Sequence, residues 1–350
     1  MVPHLVTALT GPLLDLEKKI LAATPAIERW FRMEWQEHTP PFYCSVDLRN
    51  AGYKLAPVDT NLFPGGFHNL ATEMLPLSVQ AAMAAIDKYC PDARNLLMVP
   101  ELHNTTPQYL QNVARLMQIF RQTGLHVRLG SWSPEITQPT PLALPDGNML
   151  VIEPLVRLNN GRRLGLKDFD PCTILLNNDL SDGIPDILQN IHEQSLLPPL
   201  HAGWALRRKS NHYTAYDEVV KKFGKMIDVD PWMLNPFHAK CSDVNFQEGV
   251  PTFESIKDAV AEPVVYMIDR YVVGGFYRVH AEKGVDQNLN APGSQYVPLA
   301  FAQQHAVPDL KAKPGTAAPN RFYVYGVVAR LALLAASLEM ERTDPNPEVY

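Results

Sequence analysis

The chain has 350 residues, 46% of them hydrophobic and 19% charged, with a net charge of -6; it is large enough for a sizeable apolar core and, at roughly 100–200 residues per domain, for two domains. The acidic balance, and the lack of any basic block or aromatic-interleaved basic stripe, argue against nucleic acid as a partner. The opening MVPHLVTALTGPLLDLEKK lacks the basic start and long apolar core of a secretory signal, and the best membrane candidate, residues 322–340, is marginal in length and interrupted by Arg330, so a buried helix and a cytoplasmic location are expected.

Residues 13–32 carry apolar side chains at helical spacing, residues 77–88 repeat the pattern, and residues 109–123 form a third helix stopped by Gly124. Compact apolar runs at 96–99, 127–129, 149–152 and 173–176 read as strands. Helices alternating with short strands predict an α/β layer domain with parallel strand pairs. Its polar strand ends, 101–105 and 177–182, are where such sheets place ligands. The Pro-rich stretch 133–145 reads as a surface excursion and 196–201 as a junction, dividing the chain into 1–200 and 201–350.

Cys44, Cys90, Cys172 and Cys241 stand far apart with no C-x-x-C and no Cys-His cluster, which disfavours zinc and a disulfide framework. They are expected to be small buried apolar residues. No local sequence supplies the base that a cysteine nucleophile needs.

Polar residues concentrate in VDLRNAGYKLAPVDTNLFPGGFHNL, residues 46–70. Arg49 and Lys54 are cationic, Asp59 and Asn61 are polar acceptors, and Pro64-Gly65-Gly66 forces a bend. A zwitterionic amino acid needs such a set, a cation for its carboxylate and a carboxylate for its ammonium. The bland alternative is a structural loop in which Asp59 and Asn61 cap backbone amides. Further on, Arg207, Arg208 and Lys209 precede an amphipathic helix, either as a solvated triplet or as a phosphate contact.

In YMIDRYVVGGFYRVHAEKGVDQNLNAPG, residues 266–293, the runs 266–268 and 271–273 read as two short strands joined by a tight turn at Asp269-Arg270. Gly274-Gly275 permits a close backbone approach. Arg278 follows on an alternating run that fixes its direction, and its guanidinium suits a phosphate or carboxylate. Asn288 and Asn290 offer amide groups to a cation or a polar substrate. Glu339, Glu341, Asp344 and Asn346 in LEMERTDPN could ligate a metal, but they end a helical pattern and match no ligand motif cleanly.

The 46–70 stretch and residues 247–298 together resemble the proteobacterial glutamate-cysteine ligases of ATP-grasp type, and the resemblance runs across nearly the whole chain. It implies an N-terminal α/β layer domain followed by an ATP-grasp-like α+β domain, with ATP and Mg2+ as cofactors. By the same likeness Lys209 touches the nucleotide phosphates. Gln247, Glu248, Gly249 and Val250 form the hinge strand that reads adenine, with Glu248 near the ribose. Arg278 and Asn288 serve the transferring phosphoryl group, and Arg49, Lys54, Asp59, Asn61 and Asn290 the amino-acid substrates. The implied reaction joins the side-chain carboxylate of glutamate to cysteine through an acyl phosphate. Another carboxylate-amine ligase of the same type, or a non-catalytic relic of the fold, are the alternatives; oligomeric state stays open, a homo-oligomer included.

One departure bears on the chemistry. The family carries a longer segment with a second lysine and a glycine-rich lid between Phe237 and Gln247, where this chain has only HAKCSDVNF. Backbone amides that would cradle phosphates are therefore missing from this stretch. Either a deletion impairs catalysis, or the lid belongs to the full-length gene product; ligase-like residues on both sides favour the latter.

Overall fold

Two large sheets organise the computed structural model, which describes residues 5–6, 11–101, 106–241, 244–256, 259–283, 293–299 and 321–345. The six-stranded sheet runs in the order Ser195–Leu197, Thr173–Asn177, Asn95–Pro100, His126–Ser131, Met149–Pro154, Thr140–Ala143. All neighbours are parallel except the last pair. The four apolar runs thus form the expected parallel pairs. They are nearly continuous in Leu, Met, Val and Ile because both faces are covered: Leu97, Val99, Ile174 and Leu176 belong to one core, Leu96, Met98 and Leu175 to the other.

Six helices lie among the described residues: α1 (Pro12–Ala22), α2 (Thr24–Glu37), α3 (Leu75–Tyr89), α4 (Pro107–Gln122), α5 (Lys209–Ile227) and α6 (Arg321–Thr343). The single helix expected over 13–32 is two, because Pro25 has no N–H to donate back to Leu21 and its ring clashes there. In α4 the Thr106 hydroxyl caps the first turn by accepting from Tyr109 N, and Gly124 ends the helix with a φ of 94°. Helix α6 has the length and hydropathy of a membrane span, yet 83% of that stretch is buried inside the fold. It is the central core helix.

The seven-stranded sheet is antiparallel. Leu5–Val6, Ser255–Ile256, Ala259–Ile268, Tyr271–Lys283 and Gln295–Pro298 follow one path, and Tyr43–Asn50 joins Ala259–Ile268 while carrying Leu55–Asn61 on its other side. The two short strands expected at 266–273 are the inner ends of arms of 10 and 13 residues. The tight turn between them is present, with Asp269 at a φ of 52°, and Lys88 at the end of α3 pairs with Asp269 at 2.5 Å. Gly274 and Gly275 do permit close approach, but to the chain itself: a Cβ would lie 2.5 Å from Met74 Sδ at 274 and 2.6 Å from Val264 O at 275.

The six-stranded sheet lies within 1–200, whereas the seven-stranded sheet draws strands from both sides of residue 200. The stretch 133–145 contributes the edge strand Thr140–Ala143, and 196–201 contains part of the strand Ser195–Leu197.

The cysteine expectation requires a correction. Cys44 is buried and free, but Cys90 and Cys172 form a disulfide across a sequence separation of 82. Spacing could not show this, because only the tertiary fold brings the end of α3 to the start of Thr173–Asn177. The side chain of Cys241 lies outside the described residues.

Candidate active site

Alternation along the strand Tyr43–Asn50 sends Val46 and Leu48 into the core beneath α6 and places Ser45, Asp47 and Arg49 on the opposite face. Register sets their neighbours: Asp47 faces Val264 on one side and Asp59 on the other, while Glu262 faces Arg278. The apolar surface of this face, with Tyr43, Val264, Tyr266 and Phe276 in one core, therefore gives way to a cluster of charges.

Arg278 Nη2 donates to Asp47 Oδ2 at 2.6 Å, and its Nε lies 3.5 Å from Glu262 Oε2. Arg49 Nη2 reaches Glu262 Oε1 at 2.6 Å, and His280 Nε2 lies 3.1 Å from Glu262 Oε2. Glu262 is sealed at 1% side-chain exposure, while Arg278 and Asp47 keep 11% and 16%. A carboxylate this deep is tolerable only with cations around it. Burial pushes the Asp47 carboxyl up; Arg278 opposes that shift, and Asp59 and Glu262 add to it. Burial also works against charge on Arg278, but Asp47 and Glu262 outweigh it and hold the guanidinium firmly charged.

Asp59 continues the cluster at the sheet edge. Lys209, the first residue of α5, pairs with it at 2.8 Å, and Asp59, Thr60, Trp204, Lys209 and Tyr213 line a shallow recess. Lys209 is thus committed to a carboxylate in this arrangement, beside a helix N-terminus that favours anions.

The remaining expected residues form a second group. Lys54 is fully buried, pairs with Glu248 at 2.5 Å and lies over the Trp232 ring at 4.4 Å, where Trp232 stacks on Tyr53. Burial would raise the Glu248 carboxyl, but hydrogen bonds from Lys54 and from Phe237 N hold it below the ordinary range. The Glu248 backbone is engaged as well: its N–H donates to Phe237 O at 2.7 Å and its carbonyl accepts from Val250 N at 3.0 Å. Gln247 donates to Val58 O and Tyr213 O–H, both at 3.0 Å. Val250 packs against Ala51 and Ala56, and Gly249 is exposed.

The structure therefore brings Arg49, Arg278, Asp59 and Lys209 into one charged network, and Lys54 and Glu248 into another. Asn61 accepts from Phe63 N at 2.8 Å, the capping use of the bland alternative. Asn288 and Asn290 lie outside the described residues, as do 102–105 of the first polar strand end. At the second, Asn177 is buried and ties the sheets together, donating to Tyr43 O–H at 3.0 Å and Pro64 O at 3.1 Å.

Asp47, Glu262 and His280 were not singled out by the sequence reading. Signals existed: Asp47 stands two residues from Arg49 on one strand, and Glu262 is a lone acid within AVAEPVVYMI. The late acidic residues do not gather with one another. Glu339 is buried against Arg207 at 3.0 Å, Glu341 pairs with His38 at 2.9 Å, and Asn346 lies outside the described residues. Among the described residues no three metal-ligating side chains cluster. The basic triplet is likewise not a uniform solvated patch, since Arg207 is buried in that pair.

The mixed α/β fold sets arginines and carboxylates on one sheet face, with Lys209 at the start of α5 beside them. The chain belongs to the glutamate-cysteine ligase family, whose model matches residues 17–247 and 246–340, two stretches that meet where the expected lid is missing. It is similar to a protein of Methylobacillus flagellatus KT assigned as a gamma-glutamylcysteine synthetase, known from a crystal structure: 51% identity over 98% of this chain and 100% of that one, with a TM-score of 0.86. No curated protein matches the chain.

Proposed function

We infer that the protein joins the side-chain carboxylate of glutamate to the amine of cysteine, with ATP as phosphoryl donor and an acyl phosphate as intermediate, giving γ-glutamylcysteine for glutathione biosynthesis. The observation that carries this reading is the Arg278 guanidinium, held by Asp47 at 2.6 Å and backed by Glu262, in a member of this family. A cation held in place before reaction stabilises charge on a transferring phosphoryl group without reorganising during the step. Arg49 is the second fixed guanidinium, suited to a substrate carboxylate. Lys209 would reach the polyphosphate by exchanging Asp59 for it, and Asp59 would then be open to a substrate ammonium.

The ATP-grasp assignment of 201–350, with 1–200 on the substrate side, belongs to this proposal. It is supported by the antiparallel hairpin that follows the 247–250 segment. Nucleotide phosphates fit the cationic side chains around Asp47 and Asp59. Magnesium does not fit a preformed site among the described residues, because Asp47, Asp59 and Glu262 are each already met by Arg or Lys, so no step is assigned to it here.

The missing lid favours a second reading, a fold that keeps the sheet but not the catalysis. Phosphate release from ATP with magnesium by the full-length gene product, measured with each amino acid alone and in pairs, separates the two. The ligase reading requires release that depends on glutamate plus cysteine, with a γ-linked dipeptide identified by mass. A folded protein that releases no phosphate with any pair would establish the relic.

A further inference from the structure

We propose that Asp47 is the base that accepts a proton from the amine of the second substrate, an inference that rests on the ligase reading above. An amino acid carries its amine as an ammonium at neutral pH, and an ammonium has no lone pair with which to attack an acyl phosphate. A ligase of this kind needs a carboxylate beside the phosphoryl-binding arginine with an oxygen to spare.

Among the described residues two acids meet Arg278, Asp47 and Glu262, and only one of them fits that description. Glu262 is sealed at 1% exposure with Arg49, His280 and Arg278 about it. Asp59 sits on the edge strand, with the strands of Glu262 and Asp47 between it and Arg278. Asp47 touches Arg278 directly through Oδ2 at 2.6 Å, and among the described residues Arg278 is its only side-chain partner, so Oδ1 remains for a further donor. Its 16% exposure leaves the side chain reachable. The charged groups acting on Asp47 are Arg278 and Glu262 from the hairpin and Asp59 from the edge strand. Burial, with Asp59 and Glu262, favours the protonated carboxyl, which makes it a better acceptor than an exposed aspartate.

The step balances as follows in atoms and electrons. The ammonium gives one proton to Asp47 Oδ1, and the freed lone pair forms the C–N bond at the acyl carbon. The C–O bond to phosphate breaks, its electron pair leaves on the phosphate oxygen, and the second N–H proton departs with the phosphate. Nothing is oxidised or reduced.

Hydroxylamine tests this, because it is largely unprotonated at neutral pH and attacks an acyl phosphate without a base. With ATP, magnesium and glutamate, the Asp47→Asn variant weakens the anchor of Arg278, so hydroxamate formation also falls, but dipeptide formation with cysteine should fall about 100-fold further. In the wild type, lowering the pH should slow dipeptide formation while hydroxamate formation stays flatter over the same range, a comparison that needs no variant to fold. Equal loss of both products in a folded Asp47→Asn protein, with parallel wild-type pH profiles, would show that Asp47 only positions Arg278 and would overturn the proposal. Retention of both rates would overturn it too. If the wild type makes neither hydroxamate nor dipeptide, the ligase reading itself fails, and this inference with it.

Discussion

Replacing Glu339 with glutamine leaves the Arg207 guanidinium uncompensated inside the protein. The two side chains are 0% and 2% exposed, Arg207 Nε and Nη2 each lie 3.0 Å from a carboxylate oxygen, and Nη1 donates to Thr60 O at 2.8 Å. Removing one partner of a buried ion pair costs about 3–5 kcal/mol. With about 2.1 cal/mol/K of unfolding entropy per residue, a chain of 350 residues loses about 0.7 kcal/mol per degree at the midpoint, so Tm should fall by about 4–7 °C. Thermal melting at neutral pH reads this directly, and Arg207→Met combined with Glu339→Leu should restore most of the loss because no charge is left buried. Acid should act on the same site. Burial would raise the Glu339 carboxyl, but His212 and Arg207 hold it below the ordinary 4.5, so its stabilising contribution is complete above that value and is lost as pH falls through the lower folded one. His212 is held below 6.5 by burial, which adds a loss of stability as pH falls from 6.5. A Tm change under about 1 °C in Glu339→Gln, with the same acid dependence as wild type, would refute the reasoning.

Arg278→Ala should lower turnover by about 100-fold to 1,000-fold while the protein stays folded; near-normal turnover would remove Arg278 from the chemistry. Gly274→Ala places a Cβ 2.5 Å from Met74 Sδ and 3.3 Å from Met74 Cβ, an overpacking expected to cost about 1–3 kcal/mol in urea unfolding, relieved when Met74 is also shortened. Cys90→Ser opens the bridge to Cys172 across 82 residues and should lower stability by about 2–4 kcal/mol without reductant. That difference should vanish in excess dithiothreitol, and non-reducing peptide mapping should recover the Cys90–Cys172 pair.

Local pattern was enough for the elements whose periodicity is strong. The strands at 96–99, 127–129, 149–152 and 173–176, the helices at 77–88 and 109–123, and the turn at Asp269-Arg270 were all legible, because burial on both faces or on one stripe writes itself into residue order. The quoted motifs carried enough long-range likeness to point to the glutamate-cysteine ligase family, which the match over residues 17–340 bears out. Four things depended on pairing that no local window holds. Register on the seven-stranded sheet made Asp47, Glu262, Arg278 and Arg49 neighbours although they come from strands some 200 positions apart. Tertiary packing turned Lys54 and Glu248, expected in separate roles, into partners at 2.5 Å, and paired Glu339 with a buried arginine. Packing also joined Cys90 to Cys172, which their spacing disfavoured. Residue types fix what chemistry a side chain can perform, whereas its partner is chosen by strand register and burial, and those exist only once the chain has closed on itself.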